Sequence, residues 1–197
     1  MIKITKEGEP DFWTNFKRKN PEVNYYQLSN SEAGIQVRKK LRDYLVKEQY
    51  RICCYCCRRI DMNNSLNEHV RPKDLYPNET MDYDNILASC SKDEKTCGPQ
   101  KDNDYDEKMF VSPLEEDCEK HFAFFPNGDI VGLTDRGEYT IKILGLDSYK
   151  LKQARAAVYQ NCQYCDETSL KWYLEVHDGA KEPFLDVIQY YVNSNSF

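Results

Sequence analysis

Nine cysteines in a chain of 197 residues restrict what this sequence can fold into more than any other feature. Four of them crowd into Cys53-Cys54-Tyr55-Cys56-Cys57, and Cys90 and Cys97 follow. In a secreted chain they would form disulfides, but nine leaves one thiol over. The start, Met1-Ile2-Lys3-Ile4-Thr5-Lys6-Glu7, also lacks the apolar stretch of an export signal. The Cys53-x-x-Cys56 spacing instead puts two thiolates on one knuckle, which is half of a tetrahedral zinc site. Cys54 and Cys57 offer the same spacing in a shifted register. The second half falls to Cys90 and Cys97, whose six intervening residues form a polar loop able to bulge outward; Cys162 and Cys165 are a rival pair. Thiolate clusters select soft or borderline metals, which favours structural zinc. Such an ion contributes on the order of 10 kcal/mol to folding a small knuckle.

Between the two halves lie Glu68-His69 and Asn85. A lone histidine is more often structural than catalytic, but this one has an acid before it and Arg71 and Lys73 just after. Metal-assisted phosphodiester hydrolysis needs a base for water, a divalent ion on the phosphate and positive charge for the transition state. His69 suits the base, and Glu68 suits a ligand for Mg²⁺ or Mn²⁺. Arg71, Lys73 and Lys101 are the phosphate contacts expected, and the Asn85 amide would orient His69 or its loop. Neighbours on a strand point to opposite faces, so Glu68 and His69 reach one site only if the backbone kinks or a carbonyl turns the ring.

A hydrophobic content of 40% with 13% aromatics supports a substantial core. The mean hydropathy of -0.80, with no long apolar run, argues against a membrane span and for a cytoplasmic protein. The net charge of -6 is unusual for a chain that binds nucleic acid unaided. Either the positive charge is local or a partner supplies the binding surface.

Periodicity and turn residues predict an α+β fold. Helices are expected at about 11–19 and 31–49, the latter capped by Ser29 or Ser31 and carrying the basic residues Arg38, Lys39, Lys40, Arg42 and Lys47. A hairpin over 58–66 would turn at Asn63-Asn64, followed by a strand at 66–70 and a short helix near 97–106. Beyond these come a hairpin at 122–125 and 130–133, a strand at 137–143, and helices at 148–161 and 183–192. Three regions follow: a segment at 1–30 suited to docking, a core at 31–115, and a supporting region at 116–197. Tyr190-Tyr191-Val192 and Phe197 are candidate docking residues.

The combination of the cysteine run, Glu-His-Val-Arg-Pro-Lys at 68–73, Tyr-Asp-Asn-Ile-Leu-Ala-Ser-Cys at 83–90 and Cys-Gly-Pro-Gln-Lys at 97–101 resembles HNH endonucleases. It is most similar to the PtuB-like nuclease subunits of Septu anti-phage systems, including retron-associated versions, and the likeness extends over about 35–160. The resemblance implies a zinc-stapled ββα-metal nuclease in phage defence, working with an ABC/SMC-like ATPase of the PtuA type. In retron versions the reverse transcriptase and its msDNA would be further partners. By position, Cys53, Cys56, Cys90 and Cys97 would hold zinc, His69 would be the base, Asn85 the middle HNH residue and Glu68 an acid of the metal site. The chain departs from the pattern at Gly98, where HNH proteins usually place a His or Asn that binds the catalytic metal. Asp102, four residues on, could supply a carboxylate to the same helix face. The substrate expected is DNA. The alternatives are RNA or tRNA cleavage, a zinc-stapled adaptor with a degenerate site, and a redox role for the Cys-x-x-Cys pairs.

Overall fold

In the computed structural model, which describes residues 1–91 and 95–195, helices and small antiparallel sheets combine in an α+β fold. Part of the Cys90–Cys97 loop and Phe197 lie outside the described residues. Helix α1 (Asp11–Lys19) buries Trp13. Helix α2 (Glu32–Glu48) starts where Ser31 Oγ accepts from the Gly34 N–H at 3.1 Å, so Ser31 is the cap. Its Val37, Leu41 and Leu45 are buried. Strand β1 (Ser65–His69) pairs antiparallel with β2 (Ile86–Cys90), placing Glu68 opposite Leu87 and His69 opposite Ile86. All five residues of β2 are buried, because it packs against both α2 and the short α3 (Gly98–Lys101).

The hairpin expected at 58–66 forms differently. Asp61 Oδ1 accepts from the Asn63 N–H at 2.7 Å, so the chain does turn there. The residues before the turn bridge back from Arg59 to Ile52, closing a knuckle around the cysteine run. Strand β1 is then free to take β2, distant in sequence, as its partner. Helix α3 is also shorter than expected, ending at Asp102, whose φ is 44°.

In the second half, β3 (Phe122–Phe124) and β4 (Ile130–Gly132) form the anticipated hairpin. The strand expected at 137–143 is instead helix α4 (Asp135–Leu144). Its β-branched residues read as extended, but Thr134 Oγ1 accepts from the Gly137 N–H at 3.1 Å and nucleates a helix, which Gly145 ends in the left-handed conformation at φ 59°. Burial of Thr140, Ile141, Ile143 and Leu144 then overrides intrinsic preference. Helices α5 (Tyr149–Cys162), α6 (Glu167–Leu174) and α7 (Leu185–Asn195) complete the chain. The unanticipated α6 begins where Asp166 accepts from the Ser169 N–H at 2.7 Å. One apolar cluster runs from Trp13, Leu41 and Tyr55 through Ile86 and Phe110 to Leu144, Leu151 and Val187. Among the described residues no helix is long and apolar enough to cross a membrane.

Candidate active site

The Ile52–Arg59 bridge folds the cysteine run into a tight turn, with the Cys53 N–H donating to Arg58 O at 2.8 Å and the Cys57 N–H to Cys53 O at 3.1 Å. The Cys54 N–H donates to Ala88 O at 3.1 Å and ties this knuckle to β2, whose last residue is Cys90. The Cys97 N–H donates to Leu144 O at 2.7 Å, which brings the fourth thiol in from the start of α3. As a result Cys53 Sγ lies 3.7 Å from Cys97 Sγ, and Cys56 Sγ lies 3.5 Å from Cys90 Sγ. The ligand atoms of these four buried residues all fall within 4.8 Å of one another. Sulfurs around a tetrahedral zinc ion, at about 2.3 Å from the metal, are separated by about 3.8 Å. The donor set therefore fits zinc. Burial pushes the Cys53 thiol up, but hydrogen bonds from Cys54, Cys56, Cys90 and Cys97 outweigh it and hold Cys53 well below the usual thiol range. The shifted register is not used: Cys57 packs with Ile2, Ile52 and Leu185. Cys162 sits with Leu170 and Ile188, away from the cluster.

Glu68 and His69 line a cavity of about 380 Å³, together with Lys73, Asp102, Gly98 and Arg38. Both side chains are buried, and a different anchor holds each. His69 Nε2 lies 2.9 Å from the Thr80 carbonyl. A carbonyl can only accept, so Nε2 carries the proton and Nδ1 keeps its lone pair. The ring meets Tyr25 edge-on, with centroids 4.5 Å apart. Burial pushes the imidazole down to about 4, against the Thr80 carbonyl, which favours the charged ring, and with help from Lys73 and Lys101. His69 is thus neutral near pH 7, the form a base requires.

Glu68 Oε1 accepts from Tyr55 Oη at 3.0 Å and lies 2.9 Å from Lys101 Nζ. Oε2 lies over Gly98, where a Cβ would approach it to 1.9 Å. The volume that a side chain at 98 would fill is therefore taken by the carboxylate of residue 68. Among the described residues, the four cysteines are the only cluster of three or more His, Cys, Asp or Glu ligand atoms this close. Three carboxylates line the cavity; Asp74 is bonded to Tyr26 and Asn103, which leaves Glu68 and Asp102 as the pair that could hold a hard divalent ion. Such an ion commonly takes one or two acids and completes its shell with water and phosphate.

Of the remaining expected site residues, Lys73 lines this cavity and the others do not. Lys101 is 1% exposed, and besides Glu68 its ammonium donates to the carbonyls of His69 and Val70, each at 2.7 Å. It faces inward and does not reach the cavity as a phosphate contact. Arg71 lines a separate cavity and pairs with Glu79 at 3.0 Å and with Glu107, so its charge is committed to acids. Asn85 accepts from the Arg71 N–H at 2.8 Å and donates to Arg71 O at 3.1 Å and Glu79 O at 3.4 Å. Its amide thus fastens the loop after His69 to the turn beside Thr80, which in turn holds the ring. Lys73 does line the first cavity, packed over the rings of Tyr25 and Tyr26. Sequence reasoning missed Tyr55, Thr80 and the inward role of Lys101. The spacing of Gly98 and Lys101 on one helical turn was the available signal for Lys101; nothing local marks Thr80.

No family model matches the chain. It is similar to a candidate HNH endonuclease of retron Vc95 from Vibrio cholerae serotype O1 biovar El Tor, with 30% identity over 154 residues, covering 67% of this chain and 74% of that protein. A candidate HNH endonuclease of retron Ec83 from Escherichia coli is 32% identical over 97 residues, 46% of this chain and 37% of that protein. The Septu protein PtuB of Bacillus thuringiensis is 27% identical over 150 residues, 75% of this chain and 55% of that protein.

Proposed function

The chain belongs to the HNH nucleases of the retron and Septu defence type, and on that premise we propose that it is a metal-dependent endonuclease hydrolysing DNA as the effector of an anti-phage complex with an ATPase. The observation that carries this reading is His69: a neutral imidazole held at Nε2 by the Thr80 carbonyl, lining a cavity beside the Glu68 carboxylate. Strands β1 and β2 followed by α3 supply the two strands and helix of a ββα-metal core. Glu68 and Asp102 would hold the catalytic divalent ion, and the four cysteines the structural zinc. When bound, the divalent ion supplies Lewis-acid charge to the scissile phosphate. His69 Nδ1 takes the proton from the attacking water, and Asn85 keeps the loop geometry that fixes the ring. Lys101 and Tyr55, both buried, hold Glu68 in place.

The test is Mg²⁺- or Mn²⁺-dependent cleavage of DNA and, in parallel, RNA by the chain with its cognate ATPase. Loss of cleavage in His69→Ala, with zinc content intact, supports the assignment. Persistent cleavage, or full phage protection by that variant, turns the reading towards an adaptor with a degenerate site. Asp102→Ala separately tests the second carboxylate: wild-type divalent-ion affinity in that variant excludes it as a ligand.

A further inference from the structure

A nuclease cavity needs positive charge for the phosphate backbone, and two of the three cations the sequence offered are already engaged. Lys101 is paired with Glu68, and Arg71 with Glu79 and Glu107. The cavity wall is supplied instead by α2. Arg38 and Arg42, four residues apart and hence on one helix face, both line the same cavity as Glu68 and His69. The Asn67 side chain donates to Arg38 O at 3.1 Å and ties this part of α2 to β1, two residues before His69. Arg42 Nε is buried and, among the described residues, has no hydrogen-bond partner. Among the described residues its Nη1 reaches the Met62 carbonyl alone, at 3.5 Å, the outer limit of a contact. Neither arginine pairs with a carboxylate among the described residues. Of the three acids that line the cavity, Glu68 is bonded to Lys101 and Tyr55 and Asp74 to Tyr26 and Asn103, and Asp102 forms no ion pair with either arginine among the described residues. A buried donor left without an acceptor is unfavourable, and a guanidinium fork matches the oxygens of a phosphate.

We propose that Arg38 and Arg42 form a phosphate clamp that holds the polynucleotide backbone in the cavity beside His69, with Lys73 as a third contact. This rests on the nuclease reading and identifies which surface of an acidic chain meets the substrate. Phosphate contacts carry no sequence information, so the clamp grips the backbone irrespective of sequence. It also reconciles the net charge of -6 with a nucleic-acid substrate, because the positive charge is concentrated on one wall.

The experiment compares Arg38→Gln/Arg42→Gln with a charge-matched control, Lys39→Gln/Lys40→Gln, two exposed lysines of the same helix. Binding of labelled DNA and RNA oligonucleotides is measured in the His69→Ala background at several salt concentrations, with zinc content as the check on folding. Each lost phosphate contact lowers the slope of log K against log salt by about 0.7 to 0.9, so the arginine pair should reduce it by roughly 1.5. In the His69 chain, the same pair should raise KM about tenfold or more with kcat little changed, and the lysine control should change neither. Unchanged slope and KM, an equal loss in the lysine control, or no binding by the parent overturns the clamp. If cleavage survives His69→Ala, the nuclease reading itself fails. If cleavage depends on His69 while the arginine pair keeps its KM and slope, only the clamp fails.

Discussion

Two sites share residues 53–103, and they are built on opposite principles. The cysteine site has four identical donors, all buried and drawn together by the backbone of the knuckle, β2 and α3. It is complete within the chain. The Glu68–His69 cavity has unlike groups held by separate anchors, Thr80 for the ring and Lys101 with Tyr55 for the acid. On its wall, Arg38 and Arg42 pair with no carboxylate among the described residues, and Arg42 Nε has no hydrogen-bond partner there. A structural metal site closes on itself, whereas a catalytic one keeps positions open. The difference teaches that folding alone brings the first set of donors together, whereas on the proposed reading substrate completes the second.

Substitution at the closed site should have the largest effect. Cys97→Ser is expected to abolish stoichiometric zinc and forfeit an ion worth on the order of 10 kcal/mol, seen as loss of cooperative melting together with loss of metal by elemental analysis. A stable, zinc-loaded Cys97→Ser protein would break the contrast at its root. Next comes Lys101→Met, which leaves the buried Glu68 carboxylate without its cation. The cost is roughly 3 to 5 kcal/mol, or a fall of about 10 °C in Tm. Lys101→Met/Glu68→Gln should recover much of that; if the double variant melts no higher than the single, the pair is not coupled as described.

His69→Ala acts on the open site and should leave Tm and zinc nearly unchanged while lowering kcat about a thousandfold, equivalent to roughly 4 kcal/mol. A comparable loss of stability would show that His69 is a core residue first. The smallest effect is expected at Gly98→Ala. Its new Cβ must displace Glu68 Oε2, now 1.9 Å from that point. Stability should fall by about 1 kcal/mol and kcat/KM about tenfold, since the carboxylate moves more easily than the backbone. Full activity in Gly98→Ala would mean that the acid does not need that space.

The departure from the HNH pattern at Gly98 thus acquires a physical reading. A side chain on residue 98 and the Glu68 carboxylate would compete for one volume, and here the longer side chain from β1 has it. The glycine therefore matches the acid and is not by itself a sign of a ruined site.

Much of this was legible locally. The cysteine spacings narrowed the thiols to a few pairs, because a tetrahedral ion demands donors that a short knuckle can converge, and the fold chose Cys53, Cys56, Cys90 and Cys97 over the shifted register and Cys162/Cys165. The Ser31 cap and the apolar period marked α2, and Pro-Asn-Gly-Asp at 126–129 marked the β3–β4 hairpin, since turns and caps are formed by neighbours in sequence. Long-range packing decided the rest. Whether 137–143 was strand or helix depended on burial of Ile141, Ile143 and Leu144 against the rest of the chain. The sequence by itself singled out the candidate residues: four thiols, an acid, an imidazole and an amide. Only the tertiary structure decided which cations face the cavity, turning Lys101 inward, binding Arg71 to acids and leaving Arg38 and Arg42 on the wall. Charge type is local, but its availability depends on which partners folding brings within reach.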